Sequence, residues 1–221
     1  MPPALAHFFE HDAKPFALAA RRSKSLHQSW VHPPTEPGKV VDLARKRQGP
    51  TNFGYLIHEC DTGAIAGYIE ITNIVRGPFQ SAYLGFYMFK GYERRGYMKR
   101  ALGVIIKRAW RELKLHRLEA NIQPENAASV ALVKSLGFSK EGYSPAYLKI
   151  GGRWRDHERW AILANSRSAA SQETPSSQAR AAGHEGGQDT GAILGAARRA
   201  LARQQPLERR LVGHGLLDPF P

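Results

Sequence analysis

FYMFKGYERRGYMK at Phe86–Lys99, together with PENAASVALVKSLGF at Pro124–Phe138, decides the fold. The first stretch is typical of an apolar strand that turns through Gly96 into a helix, whose first N–H groups have no intrahelical partner. The second is typical of a helix that begins at a cap near Asn126 and ends at Gly137. A strand beside two helix N-termini predicts a site for a long ligand that carries phosphate.

The chain is strongly basic. Its 221 residues include 32 Lys and Arg against 19 Asp and Glu, which gives a formal net charge of +13. Such an excess favours polyanionic partners, namely a nucleotide cofactor, RNA or a ribonucleoprotein surface. It is equally compatible with a basic surface that is only solvated.

Cysteine usage and hydropathy narrow the class of protein. Cys60 is the single cysteine, which excludes an intramolecular disulfide and predicts no metal cluster. No apolar run approaches the ~18 residues that cross a bilayer. The N-terminus lacks the basic segment and long apolar run of a signal peptide. We therefore expect a cytoplasmic protein with no membrane partner and no metal.

Hydrophobic periodicity predicts an α+β fold with a mixed sheet. The predicted helices are Ala13–Arg22, Val40–Lys46, Arg95–Leu113 and Ala127–Leu136, and the predicted strands are Phe53–Glu59, Ala64–Ile71, Ala82–Phe89, Arg117–Ile122, Ala146–Ile150 and Trp154–Leu163. We expect residues 1–164 to form one domain. Residues 165–221 are predicted to be a disordered, low-complexity tail, because they contain too few apolar residues to offset their chain entropy.

Basic side chains surround the start of the predicted helix Arg95–Leu113. Arg94, Arg95 and Lys99 add positive charge there, and Gly96 lets the backbone approach an anion closely. The alternative is a strand–glycine–helix joint that binds nothing. For the second segment, the alternative is that Asn126 only caps its helix. The two segments in this order favour a ligand site.

These segments resemble the GNAT acetyltransferase superfamily, whose later motif matches Asn126, Ser129, Leu132, Gly137 and Phe138. Further strings resemble the Rim-type branch, which acetylates the N-terminal alanine of ribosomal proteins. They are NIVRGPFQSAYLGF (Asn73–Phe86), HRLEANIQPEN (His116–Asn126), GFSKEGY (Gly137–Tyr143) and GGRWRDH (Gly151–His157). The resemblance covers His7 to Leu163. It implies a GNAT-type sheet, mixed but mostly antiparallel, with a V-shaped splay and flanking helices.

The resemblance also implies a co-substrate, acetyl-coenzyme A (acetyl-CoA), held in a V between the predicted strands Ala82–Phe89 and Arg117–Ile122. A free N–H on the first of these strands would polarise the thioester carbonyl. Ser129 would hydrogen-bond the departing thiolate. The residues implied to bind the co-substrate are Tyr87, Met88 and Phe89 for the pantetheine arm, the amides of Arg94, Arg95, Gly96, Tyr97, Met98 and Lys99 for the pyrophosphate, and Asn126 for either region.

Three positions depart from the family pattern. Glu93 stands where Gln or Arg is usual and adds an anion near the phosphates. Met98 occupies the usual Gly or Ala position. Tyr83 replaces a glutamate that many members carry, which removes an obvious general base.

The general base therefore has several candidates, which are Glu70, Glu141, Asp156 and His157. Asp156 and His157 are neighbours on a predicted strand, so their side chains point to opposite faces and cannot act as one dyad. An α-amine has a pKa near ~7.7–8.0 against ~10.4 for lysine, so it is already partly neutral at pH 7. The missing carboxylate thus favours an α-amine as acceptor.

The leading hypothesis is an acetyl-CoA-dependent N-acetyltransferase that modifies the N-terminal α-amine of a protein. The resemblance implies an N-terminus of the Ala or Ser type, on a ribosomal protein, and direct attack in a ternary complex. One alternative is a GNAT enzyme that acetylates a small-molecule amine. Another is a basic, non-catalytic module that docks on RNA or the ribosome.

Overall fold

One mixed sheet runs through the part of the chain that the structure, a computed structural model, describes: residues 3–28 and 30–164. Its strands are β1 (Ala4–His7), β2 (Gln48–Gly49), β3 (Asn52–His58), β4 (Ile65–Val75), β5 (Ser81–Met88), β6 (Arg117–Ile122), β7 (Ser139–Ile150) and β8 (Arg153–Leu163). Their order is β1-β3-β4-β5-β6-β8-β7, with β2 paired to β3. Every pairing is antiparallel except that of β5 with β6.

Helices cover both faces of this sheet. They are α1 (Ala13–Arg22), α2 (Lys24–His27), α3 (Pro37–Lys46), α4 (Tyr97–Arg111) and α5 (Ala127–Ser135). Side chains alternate between the faces of a strand. Ile69 and Ile71 of β4 pack in one buried cluster with α4, whereas Tyr68 joins a second cluster with Phe16 of α1 and residues of α3. We call these the α4 face and the α1 face.

The sheet splits between its two parallel strands. β5 pairs with β6 only from Ser81–Arg117 to Tyr83–Glu119. Beyond that point β5 stays paired with β4 as far as Met88, and β6 stays paired with β8 as far as Ile122. The two strands therefore diverge and leave a gap, which confirms the predicted V-shaped splay.

The α+β class and the mostly antiparallel sheet are confirmed, and the boundaries differ for local reasons. Helix α3 begins at Pro37 instead of Val40, because proline at the first helical position supplies no N–H that needs a partner. Helix α4 begins at Tyr97, because Gly96 caps it with a φ of 76°. The sequence did not predict β1, β2, α2 or the first half of β7.

The unpredicted part of β7 carries no hydrophobic alternation. Residues 139–145 are mostly exposed, so that half of the strand is defined by its pairing with β8. Strand β1 is short, and its four residues pair with β3. Both strands depend on partners distant in sequence, which local patterns do not report.

The structure bears on the predicted tail and on membrane-spanning helices as follows. The predicted tail, residues 165–221, lies outside the described residues. Within the described ranges, no helix is long and apolar enough to cross a membrane.

Candidate functional site

A cavity of about 510 Å³ opens at the splay. The diverging ends of β5 and β6 form its walls, and the start of α5 and the segment after α2 close its sides. Both sequence segments that predicted a ligand site reach this cavity. Its polar lining includes Glu70, Asn121, Asn126, Ser129, His157, His27 and Arg94.

The end of β5 presents backbone groups to the gap. The Phe89 N–H donates to the Ala66 carbonyl on the β4 side at 2.8 Å, whereas the Met88 carbonyl accepts from His27 Nε2 at 2.8 Å on the opposite side. Successive residues of a strand alternate in this direction. The N–H and C=O groups of Phe86 and Met88 therefore face the gap, and those of Tyr87 face β4.

This alternation corrects the predicted set of backbone groups. Phe89 has its N–H bonded to Ala66, and its carbonyl accepts from the Tyr92 N–H at 3.3 Å. Tyr87 is aligned with Tyr68 in the β4 ladder. Of the three predicted residues, Met88 alone directs its backbone groups into the gap, and Phe86 joins it.

The loop before α4 has the conformation that its glycines predict. Gly91, Arg94 and Gly96 all adopt positive φ, at 96°, 61° and 76°. The first bond along α4 runs from the Arg100 N–H to the Gly96 carbonyl at 3.2 Å. The amides of Tyr97, Met98 and Lys99 thus precede the first intrahelical bond and are available to an anion.

Side chains around this helix start divide into two groups. Arg94 is exposed and lines the cavity. Arg95 turns away from the cavity, because its Nη1 donates to Glu59 at 2.8 Å and its guanidinium lies 5.3 Å from the Tyr92 ring centroid. Glu93 folds back onto the loop, where its carboxylate accepts the Gly91 N–H at 2.7 Å.

The two other residues of the first turn differ in burial. Met98 is only 6% exposed and packs in the cluster of the α4 face, while it also lines the cavity. Lys99 is exposed. A large side chain at position 98 is therefore accommodated by the core, which accounts for its presence in a position where the family favours Gly or Ala.

Asn126 is the cap of α5. Its Oδ1 accepts the Ser129 N–H at 3.1 Å, and both side chains line the cavity. Capping and ligand binding are therefore compatible roles, since Asn126 both caps α5 and lines the cavity.

Replacing Asn126 with alanine removes this cap. We expect the free energy of unfolding to fall by about 1 kcal/mol, because the Ser129 N–H at the start of the helix loses its partner. Urea denaturation followed by circular dichroism measures the change. Asn126→Asp, which keeps an acceptor oxygen, serves as the control, and equal stability of the alanine variant and the wild type would contradict the capping role.

The four candidate bases separate by location. Glu70 and His157 line the cavity. Glu141 pairs with Arg117 through Nη1 and Oε1 at 2.9 Å and lies outside it. Asp156 accepts bonds from Tyr143 and from the Ala146 N–H, and it lines a neighbouring cavity instead.

His157 has the environment of a neutral imidazole. It is 2% exposed, and burial lowers the pKa of its ring below the ordinary value. Its Nδ1 lies 3.0 Å from the Arg155 carbonyl oxygen. Since a carbonyl only accepts, Nδ1 carries the proton, and Nε2 is the nitrogen that can take another.

Glu70 is held by two donors. Its Oε2 accepts from Arg47 Nε at 2.7 Å and from the Tyr68 hydroxyl at 3.0 Å. Neither bond uses Oε1, which lies on the side of Gly85. This carboxylate is therefore fixed in place with one oxygen turned to the neighbouring strand.

Sequence reasoning missed several residues of the cavity. His27 and Trp30 come from the connection between α1 and α3, which carries no periodicity that would have indicated a role. Asn121 lies on β6, and there a signal did exist. Leu118, Ala120 and Ile122 are buried, so the alternation of the strand puts Asn121 on the other face.

A sheet that splays between two parallel strands, with a helix N-terminus at the mouth of the gap, is the arrangement that identifies the class of protein. The chain belongs to the GNAT acetyltransferase family, because the model of the "Acetyltransferase (GNAT) domain" matches residues 4–139.

Among its relatives, the chain is 39% identical over 110 residues to the [Ribosomal protein uS5]-alanine N-acetyltransferase of Escherichia coli (strain K12). That match spans 50% of this chain and 57% of the relative. A solved ribosomal-protein-S5-alanine acetyltransferase from Vibrio fischeri aligns with a TM-score of 0.66 and 26% identity, over 72% of this chain and 91% of that one. A spermidine N-acetyltransferase from Vibrio cholerae shares the fold alone, with a TM-score of 0.63 and 17% identity, over 77% and 98% of the two chains.

Proposed function

We propose that the protein is an acetyl-CoA-dependent N-acetyltransferase that modifies the N-terminal α-amine of a protein, of the Ala or Ser type and on a ribosomal protein. The observation that carries the proposal is the splay, where gap-facing backbone groups of Phe86 and Met88 meet the start of α5 in one cavity. The 39% identity to an enzyme named for the alanine of uS5 supports the acceptor.

The residues at the splay fit acetyl-CoA. The Met88 N–H faces the gap and is available to a pantetheine carbonyl, while the Met88 carbonyl accepts from His27 Nε2 at 2.8 Å. The amides of Tyr97, Met98 and Lys99, with Arg94 beside them, suit a pyrophosphate. When bound, the co-substrate supplies an acetyl group activated as a thioester.

Three groups of the chain then have chemical roles. The Phe86 N–H faces the gap and donates to the acyl oxygen as negative charge develops there. The Ser129 hydroxyl, at the start of α5, donates to the leaving sulfur. His157 Nε2 takes the proton that the amine loses, and the lowered pKa of the ring keeps it neutral at pH 7.

The lining of the cavity supports a single amine over a polyamine. The acidic residues that line it are Glu70 and Glu93, and both are engaged, the first by Arg47 and the second by the Gly91 N–H. A polycation needs several uncompensated carboxylates. Glu70 can still accept from one ammonium group, because Arg47 and Tyr68 use its Oε2 and not its Oε1.

A second cavity supports a polypeptide as acceptor. It measures about 420 Å³ and shares Trp30 and Gln123 with the first. Trp154 and Arg155 form its other side. A polypeptide whose N-terminus lies at the splay therefore has room to continue between Trp30 and Trp154, whereas a small amine would leave this space unused.

The net charge of +13 also suits an acceptor that is surrounded by RNA.

The proposal is tested with the purified full chain, acetyl-CoA and ten-residue peptides that begin with Ala or Ser. We expect mass spectrometry to place one acetyl group on the α-amine and none on a matched peptide whose N-terminus is already blocked. Spermidine is the competing substrate. Acetylation of spermidine with no modified peptide would overturn the acceptor, and failure to bind coenzyme A at all would overturn the enzymatic class.

A further inference from the structure

Three residues form a row across the sheet at the point where it splays. Glu70 of β4 is directly opposite Gly85 of β5 in the antiparallel register. Tyr83 is opposite Glu119 in the parallel register, so Gly85 stands level with Asn121 of β6, two residues further along. All three residues line the cavity.

The three also share one face. Ile69 and Ile71 flank Glu70, and Ala120 and Ile122 flank Asn121, and these four neighbours are buried in the cluster of the α4 face. The Glu70 carboxylate and the Asn121 amide therefore project from the α1 face. Gly85 lies between them without a side chain, and the Glu70 side chain occupies the space over it, with Cγ 2.9 Å and Oε1 3.0 Å from the position that a Cβ would take.

Each flanking side chain directs an uncommitted oxygen to this row. Asn121 Oδ1 is buried, and it has no hydrogen-bond partner within residues 3–28 and 30–164. Such an atom costs free energy unless a ligand or a water satisfies it. Glu70 Oε1 lies 3.0 Å from the position that a Cβ of residue 85 would occupy, while Oε2 is fixed by Arg47 and Tyr68.

The neighbouring cations point away from the row. Arg159 is opposite Asn121 on β8, but its guanidinium lies over Gly142 of β7, on the far side of β8. Arg47 contacts Glu70 through the oxygen that faces away from Gly85. Arg47 compensates part of the Glu70 charge through Oε2, and the row offers two further acceptor oxygens for N–H donors, which is the chemistry that binds an ammonium group.

We propose that Asn121 Oδ1 and Glu70 Oε1 bind the ammonium group of the acceptor in the cavity between these two side chains. This inference rests on the proposed function and deepens it, since it makes Asn121 the residue that distinguishes a free amine from an acetylated one. It also places the amine in the cavity that His157 lines, and His157 receives the proton afterwards.

Binding measurements separate this role from a structural one. A ten-residue peptide that begins with Ala and the same peptide with an acetylated N-terminus are titrated against the full chain, saturated with coenzyme A. We expect Asn121→Leu to weaken binding of the free peptide by about ten- to a hundredfold, because a hydrogen bond to a charged group is lost. Binding of the acetylated peptide, which has no ammonium group, should not change.

A control variant and a second test variant complete the set. Asn121→Asp keeps an acceptor oxygen in the same place and should retain binding of the free peptide. Glu70→Gln keeps the shape but removes the charge, so it should weaken the free peptide selectively, as Asn121→Leu does. Unchanged affinity for coenzyme A and an unchanged melting temperature establish that each variant is folded.

The inference is overturned if Asn121→Leu and Glu70→Gln affect the free and the acetylated peptide equally. Alaninamide, a small α-amine, separates this result from a failure of the proposed function. If the wild type binds no peptide but binds alaninamide, and both variants weaken that binding, the polypeptide acceptor is wrong and the ammonium subsite stands.

Discussion

Replacing His157 with glutamine is expected to lower kcat for a peptide acceptor about a hundredfold at pH 7, at the lower end of the range for general base catalysis. The imidazole is buried in the cavity, its pKa is lowered by burial, and its Nδ1–H is committed to the Arg155 carbonyl. Nε2 is therefore the proton acceptor. Glutamine keeps the size and the polarity of the side chain but cannot take a proton.

The pH dependence identifies the cause of the loss. An α-amine is already partly neutral at pH 7 and mostly neutral above its pKa near ~8, so it needs less help from a base as the pH rises. The defect of His157→Gln should therefore shrink between pH 7 and pH 9. As the pH falls through the pKa of His157, which burial lowers below its ordinary value, the wild type should lose activity because the imidazole becomes protonated.

Glu141→Gln is the matched control, since Glu141 was an equal candidate from the sequence and lies outside the cavity. Its exposed pair with Arg117 is worth little, so we expect kcat to stay within about twofold of the wild type. A defect of His157→Gln that is the same at pH 7 and pH 9 would contradict the role as base and indicate a structural one.

The sequence predicted the parts of the site that depend on local chain geometry. Gly96 adopts a positive φ at the start of α4, and Asn126 caps α5. Both roles can be recognised from a few adjacent residues. The same holds for the opposite directions of Asp156 and His157. These predictions did not require knowledge of which strands are neighbours.

The missed parts depend on the order of strands. Asn121 becomes important because β5 and β6 separate two residues before it, and Phe86 replaces Phe89 because β4 occupies the other edge of β5. His27 reaches the site only because α2 packs against the end of β5, where its ring lies 5.1 Å from that of Tyr87. Register and long-range packing are not encoded in a window of neighbouring residues.

Replacing Phe86 with proline tests the backbone role of β5 directly. Proline has no N–H, and the Phe86 N–H faces the gap, so the substitution removes the proposed donor without removing a bond to β4. Proline is tolerated on strand edges that lack a partner, and beyond Tyr83 β5 is such an edge towards β6.

The comparison that matters is with Phe86→Ala. Both variants lose the packing of the Phe86 ring against the buried cluster of the α4 face, but the alanine variant keeps the N–H. We expect kcat of Phe86→Pro to be about 10²–10³ lower than that of Phe86→Ala, since that is the effect of removing one oxyanion donor. Steady-state kinetics with an Ala-initiated peptide measure the ratio.

Tyr87→Pro, which removes a bond of the β4 ladder, should instead lower the melting temperature. Equal kcat values for the two Phe86 variants would assign the oxyanion to another donor, and the Met88 N–H, which also faces the gap, would then be the next to test.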